Sequence, residues 1–522
     1  MVSWELVYRA TAFIAEEMGA ALKRSALSPN IRERMDHSCA VLDPSGRIVA
    51  QAEHIPVHLG SFRVGVANAL RWVDDNNVSL GEGDMLVVND PYIAGTHLND
   101  IMLLAPVFHG ERLVAYVVNK AHHVDVGGPV PGSINPKART IYEEGLIIPP
   151  VKLVKKWDVD LEILRLIASN TKTPQVSSGD LKAQMAANIT GIRKVKDLMD
   201  KFGAEGVLDS WSKAVDYGRK LALKRMEEWE RGVYEAVDYL ELDDSLLPIK
   251  VKLEVGGEAV NVDFTGTSPQ LEAPLNAVFG VTFSAVSYAV RSTLGGDIPT
   301  NEGFYSTINV HAPEGTIVNP KKPAPVAGGN LETSQRIADV VLKALAQVAS
   351  HSVPAAGSGT MMNVMMGGVD EERGYWAYYE TIGGGTGGRP GKEGVSGVHV
   401  NMTNTLNTPI EVAERSYPIL YTAYMIREGS GGEGAFKGGD GIIRAFKTLK
   451  PARLSILADR FKTRPYGLQG GESGAPGRIT VIKASGIKLE MPSKFTVDLE
   501  PGDEVLIETP GGGGWGRKTF ST

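Results

Sequence analysis

Apolar residues recur at a spacing near 3.6 across residues 4–27, which predicts an amphipathic helix at the start of the chain. The period then shortens. "SCAVLDPSGRIVAQA" places strand-like runs on both sides of Asp43-Pro44-Ser45-Gly46, a good β-turn tetrapeptide, so a hairpin is expected. A helix follows over "RVGVANALRWVDD", and strands return from Met85 to about Val126. Between residues 158 and 240, "DLEILRLIASN", "SSGDLKAQMAANITGIRKVKDLMDKFG" and "VLDSWSKAVDYGRKLALKRMEEWERGVYEAVDYL" read as two or three helices, the second opened by a Ser/Asp cap. "PIKVKLEVGGEAVNVDFTGTS" reads as a hairpin turning at Gly256-Gly257. Helices are expected over 281–294 and over "LETSQRIADVVLKALAQVAS", and the remainder is strands and glycine turns.

These elements predict an α+β protein, a large mixed body of antiparallel sheets with an inserted helical segment and a glycine-rich β region at the carboxyl end. The expected divisions are 1–157 (α/β, carrying the candidate metal site), 158–240 (helical), 241–354 (mixed α/β) and 355–522 (glycine-rich β). No fixed-period repeat is visible.

The stretch "THLNDIMLLAPVFHGERLVAYVVNKAHHVDVGG" draws attention within this frame. Its two runs, "IMLLAPVF" and "LVAYVVN", are apolar at successive positions, which predicts burial on both faces. If His109-Gly110 is the loop, His97 faces His122 and Asp100 faces Asn119. A loop longer by one residue pairs His97 with His123 instead. Directly opposed Cβ atoms lie only ~4.5–5.5 Å apart, so two imidazoles and a carboxylate would meet at the open end. That set suits a divalent transition metal with positions left for water or substrate. Strict alternation would put His97 and Asp100 on opposite faces, so the site requires "THLND" to be a loop. The plainer alternative is that polar clusters at strand ends satisfy backbone groups or face water.

Composition narrows the picture. Apolar residues make up 43% of 522 and charged residues 22%, ordinary for a globular protein. The net charge is −7 with no basic stripe, which argues against a nucleic-acid partner. The amino-terminal stretch is neither a signal peptide nor a membrane span, so a cytoplasmic location and no membrane partner are expected. Cys39 is the only cysteine; no intrachain disulfide can form, and "HSCAVLD" reads as a strand with a buried structural thiol. Sixty glycines concentrate after residue 355 and read as tight turns between strands.

Other candidates carry less. Pro56 lies between His54 and His58 and breaks the helix that a zincin pair needs, leaving them packing or pocket-wall roles. His109 reads as a turn residue, and His311, His351 and His399 stand alone. Asp263, Tyr379 and Glu380 beside flexible turns are possible acid/base groups, with a sheet-edge role the plainer reading. No glycine loop has the lysine and hydroxyl of a Walker A loop, so this chain is not expected to hold ATP by itself.

Taken together, "NDPYIAGTHLNDI", "HHVDVGGPVPGS", "EGLIIPP", "PLNAVFGVTFSAVSYAV", "NPKKPAPVAGGNLETSQRIADVVLKAL" and "PGGGGWG" resemble the B-type subunit of N-methylhydantoinase. That family also includes the carboxyl-terminal half of ATP-dependent 5-oxoprolinase and a large subunit of acetone and acetophenone carboxylases. The resemblance runs from about residue 3 to residue 516. The chain departs from the family pattern at Glu428–Gly434 and in "RPYGLQGGESGAPG", both turn regions that bear on substrate choice or subunit contacts.

The resemblance implies a metal held by His97, Asp100 and His122, with His123 and Asp125 as proton-transfer candidates. Mn, Zn and Fe all suit such a set. It implies an A-type ATPase subunit as partner in a heteromer. That subunit would use ATP to phosphorylate the carbonyl oxygen of a cyclic amide, a hydantoin or 5-oxoproline. Water activated by the metal of this chain would then open the ring. Two alternatives share the frame: a ketone carboxylase subunit with the same metal site, and a non-catalytic partner of the ATPase.

Overall fold

The computed structural model describes residues 3–52, 54–372 and 374–518. Its first sheet is built from β1 (His37–Leu42), β2 (Ile48–Gln51), β3 (Met85–Val88), β4 (Asp100–His109), β5 (Arg112–His122), β6 (Val151–Lys155) and β7 (Asp158–Val159). The strand order is β2-β1-β5-β4-β3-β6-β7, antiparallel throughout. The hairpin at Asp43–Gly46 forms as expected, closed by Gly46 N donating to Asp43 O.

Alternate positions of these strands feed two different cores. Cys39, Val41, Leu103, Ala105, Val117 and Ala121 pack among residues of the Trp4–Ser25 and Pro174–Phe202 helices. Their neighbours Ala40, Leu42, Met102, Leu104 and Val118 pack among residues of the Pro56–Asp75 and Phe279–Leu294 helices. Both faces are covered, which is why β4 and β5 are apolar at successive positions.

The register of the central hairpin corrects the expected one. Gly110 adopts φ 62°, so the turn falls at Gly110-Glu111 with His109 opposite Arg112. An irregularity beside Val107 and Phe108 shifts the pairing again. Asp100 therefore faces His122, and Asn119 faces Leu103. His97 lies before β4 and has no strand partner, so "THLN" is loop, as the site required, and Asp100 opens the strand.

The helical segment comprises Leu161–Ser169, Pro174–Phe202 and Ala204–Met226. The helical reading that ran on to residue 240 is corrected, because Gly232–Leu242 is a strand paired with Ser245–Gly256. "GVYEAVDYLEL" carries the β-branched and aromatic residues that favour a strand, and an adjoining hairpin partner decides its state. That pair belongs to a four-stranded sheet with Ala259–Asp263 and Ile308–His311. The Pro56–Asp75 helix starts earlier than its apolar pattern suggested, with Pro56 in its first turn, where a missing N–H costs nothing.

Two further sheets of four and five strands share a third core in the carboxyl-terminal region. Here some glycines turn as expected, Gly429, Gly486 and Gly502 among them at positive φ, while others do something different. Gly385 and Gly512 have no positive φ, yet a Cβ would sit 1.8 Å from Gly439 O and 2.0 Å from Thr386 O respectively. The glycine loops stack backbone on backbone, with Gly512 N donating to Gly439 O and Gly388 N to Gly513 O. Helices and several antiparallel sheets make this an α+β fold. Among the described residues, no helix is long and apolar enough to cross a membrane.

Candidate metal centre

Asp90 opens the approach to the site by capping the Pro91–Ala94 helical turn, its Oδ1 accepting from Tyr92 N. Gly95 at φ 83° ends that turn and sends the chain inward. Asp100 N then donates to His97 O at 3.1 Å, and this tight turn puts the side chains of both residues on one side. His122, the last residue of β5, supplies the third group.

Ligand-capable atoms of His97, Asp100 and His122 all lie within 4.8 Å of one another, and all three residues are buried. His97 Nε2 approaches Asp100 Oδ1 at 3.2 Å. Neither atom is satisfied by an aligned hydrogen bond, and His122 Nε2 is likewise buried without one. Native interiors rarely tolerate such a cluster of orphaned polar atoms. A divalent cation among them would satisfy all three, and two imidazoles with a carboxylate are the donors for Mn, Zn or Fe.

The charge states agree. Burial acts to raise the Asp100 carboxyl, but the His97 and His58 imidazoles outweigh it and hold it well below the usual carboxylate range. Burial, reinforced by His97, drives His122 well below the ordinary imidazole value, so the ring is neutral with a lone pair to give.

Residues from distant segments brace the three. His58 Nε2 stands 3.3 Å from Asp100 Oδ2. Its other nitrogen, Nδ1, is 3.2 Å from Ser38 Oγ, which itself accepts from Ile55 N. Asp100 Oδ2 as a carboxylate can only accept, so a ring proton on Nε2, with the Ser38 hydroxyl donating to Nδ1, satisfies both contacts. Asn330 Nδ2 also donates to Asp100 Oδ2, at 3.4 Å, from a π-helical turn over Gly329–Thr333. Such turns recur at functional sites. The Tyr379 ring stacks on His122, with centroids 4.5 Å and planes 5° apart, and its hydroxyl donates to Asn363 Oδ1. Asn30 Nδ2 donates to His122 O at 2.6 Å, and Arg34 bonds Asn30 and pairs with Glu380 at 2.8 Å. The enclosed space beside these residues has about 20 Å³ free, room for little more than one water-sized occupant.

Residues 1–518 match the family model described as hydantoinase B/oxoprolinase. The chain belongs to the hydantoinase B/oxoprolinase family. An uncharacterized protein of Methanocaldococcus jannaschii is 51% identical over 99% of this chain and 90% of its own length. The Arabidopsis thaliana protein named 5-oxoprolinase 1 is 38% identical over 96% of this chain, which spans 41% of that longer protein. The putative B-type subunit of a D-/L-hydantoinase from a Pseudomonas species is 32% identical over 97% of this chain and 88% of its own length. The crystal structure of an ATP-dependent caprolactamase from Pseudomonas jessenii superimposes with a TM-score of 0.91 at 28% identity, covering 98% of this chain and 90% of that one.

Within this family member, His97, Asp100 and His122 come together, whereas His123 and Asp125 do not join them. The His123 ring bonds Gln184 Oε1 at 2.9 Å on the side of the Pro174–Phe202 helix. Asp125 accepts from Gly127 N and Lys172 N and pairs with the Lys172 ammonium at 3.2 Å. Tyr379 and Glu380 do lie on an edge strand, Gly374–Thr381, but both side chains are buried rather than facing solvent, Tyr379 against His122 and Glu380 against Arg34. Asp263 accepts from Thr265 and caps a turn. His109, at the hairpin turn, pairs with Asp200. Burial pushes the Cys39 thiol up, which suits an inert structural role. Asn330 and Asn30 are the site residues that sequence reasoning passed over, and His58, expected as a packing or pocket-wall residue, lines the space beside Asp100. "HIPVH" held the signal for His58, and "GGNLETSQ" held it for Asn330.

Proposed function

We propose that this chain is the B-type subunit of an ATP-dependent cyclic amidohydrolase that opens a hydantoin or 5-oxoproline ring with an A-type ATPase partner. The observation that carries this reading is the convergence of His97 Nε2, Asp100 Oδ1 and His122 Nε2, buried and unsatisfied, in a chain whose named relatives act on cyclic amides. An amide carbon is a poor electrophile, and phosphorylation of its oxygen on the partner would make it a good one. The glycine loops of this chain lack a P-loop lysine, so ATP use belongs to that partner.

His97, Asp100 and His122 would hold the cation, which when bound supplies Lewis acidity and lowers the pKa of a coordinated water to near 7. The residues of this chain do the rest. His58 keeps a proton on Nε2 against Asp100 Oδ2, turning Oδ1 toward the imidazoles. Tyr379 and Asn30 fix the His122 ring. We assign to His58 the orientation of Asp100, and leave His123 and Asp125, which Gln184 and Lys172 tie up, outside the chemistry.

Co-expression with the A-type subunit tests the reading. Metal analysis should find a divalent ion in the complex, and phosphate release should depend on a hydantoin or on 5-oxoproline. His97→Ala should assemble normally with the partner yet lose both metal and turnover. Full turnover by that variant would favour a non-catalytic role, and ATP use that requires a ketone and bicarbonate would favour a carboxylase.

A further inference from the structure

The enclosed space at the triad, at about 20 Å³, is too small to seat a five-membered ring. A second cavity of about 380 Å³ adjoins it, and Thr403 lines both. That volume lies in the range of small-molecule sites. One wall is the Phe279–Leu294 helix, whose other faces are built into the core through Val281, Phe283, Val286 and Val290. Toward the cavity the same helix presents Ser284, Ser287, Tyr288, Arg291 and Ser292, a polar stripe at helical spacing.

The hydrogen-bonding account of this stripe does not close. Ser284 Oγ is engaged, accepting from Gly60 N and donating to Pro56 O. Ser287 is 3% exposed and lines the cavity, yet its hydroxyl has no partner. Arg291 gives its terminal nitrogens to Gly295 O and Gly296 O, which leaves Nε buried and unpaired. Ser287 and Arg291 stand four apart on one helix face and both line the cavity, each with an unpaired buried donor. Among the described residues lining this cavity, none is Asp or Glu.

We propose that this cavity binds the substrate ring and that Ser287 and Arg291 recognise an anionic substituent on it, selecting a cyclic amide that carries a carboxylate over one that carries none. The inference rests on the ring-opening reading for its substrate class, but the cavity can be tested without turnover. Guanidinium donors favour carboxylates, and these two residues line a space that offers no competing side-chain anion among the described residues.

The test is direct binding to the full chain, in complex with its A-type partner and without ATP. Titration calorimetry compares 5-oxoproline with 2-pyrrolidinone, the same ring without its carboxylate. The wild type should prefer 5-oxoproline, and Ser287→Ala should lower that preference, read as a ratio of Kd values, by about tenfold. Arg291→Gln should lower it at least as far, with thermal melts to check its fold; Ser287→Ala removes one hydroxyl and keeps the helix caps. No preference in the wild type, or an unchanged preference in both variants, would overturn the inference. Ring opening with no carboxylate preference removes this cavity assignment alone. A carboxylate preference in a complex that opens no ring removes the functional reading alone.

Discussion

The ring of Tyr379 lies flat on the ring of His122, with centroids 4.5 Å and planes 5° apart. One residue sits on the edge strand of the third sheet and the other ends a strand of the first. The stack therefore fixes the tilt of a candidate ligand from across the molecule. Removing groups that orient metal ligands costs about 10–100-fold in affinity. Tyr379→Ala should weaken cation binding by about that factor, whereas Tyr379→Phe keeps the stack and should lose far less. Competition with a chromogenic chelator measures both.

Unsatisfied atoms at the triad predict a stability effect of the cation. Each buried orphan costs about 1–3 kcal/mol, and a bound ion relieves several at once. Chelation should lower the melting temperature of the wild type, and at a free metal concentration about 100 times Kd the ion should add about 2.7 kcal/mol. In His97→Leu an apolar side chain replaces one ligand and its orphaned nitrogens. The melting temperature of that variant should no longer respond to chelator.

His37 should make acid destabilising. Burial, then the nearby His54, His58 and Lys23, push it down to about 3 from its ordinary 6.5. Between those values the unfolded chain binds a proton that the folded chain refuses. Stability is therefore flat above about pH 6.5 and falls as pH drops toward 3. At pH 5 this histidine alone should cost about 2 kcal/mol relative to pH 7. Urea titrations in the presence of chelator should show that loss reduced by a similar amount in His37→Phe. The remaining slope includes His399, which burial also pushes down to about 3.

The glycines of this chain divide into two kinds with different tolerances. Gly512→Ala would drive a methyl to 2.0 Å from Thr386 O, against backbone that cannot yield. It should cost about 3 kcal/mol or more, or prevent folding. Gly110→Ala, in the central hairpin, shows the contrast: it meets nothing within 4 Å and suffers only from its left-handed φ of 62°, about 1 kcal/mol. Chemical denaturation of the two variants separates the cases.

Much of the candidate site was legible because its three candidate ligands lie at the open end of one hairpin and in the loop that leads into it. The histidines and the aspartate were visible as polar ends on apolar runs, and the need for a loop at "THLND" followed from strand alternation. The expected register was wrong, because neither the turn at Gly110-Glu111 nor the irregularity beside Val107 leaves a clear mark in composition. The bracing residues escaped for a different reason. Asn330 and Tyr379 lie more than two hundred positions from Asp100, and only tertiary packing brings them to it. The strand at Gly232–Leu242 was hidden behind a long helical pattern, and the glycine clusters hold contacts between backbones as well as the expected turns.

The stacking of Tyr379 on His122 also dates the site within synthesis. A chain emerging from the ribosome has all three candidate ligands after His122, and Asn30 with them, but the ring stacked on the last of them follows only after more than two hundred and fifty further residues. A cation captured by a nascent fragment would sit in a loose, wet precursor. Tight capture should thus serve as a signal that translation and docking of the late sheets are finished.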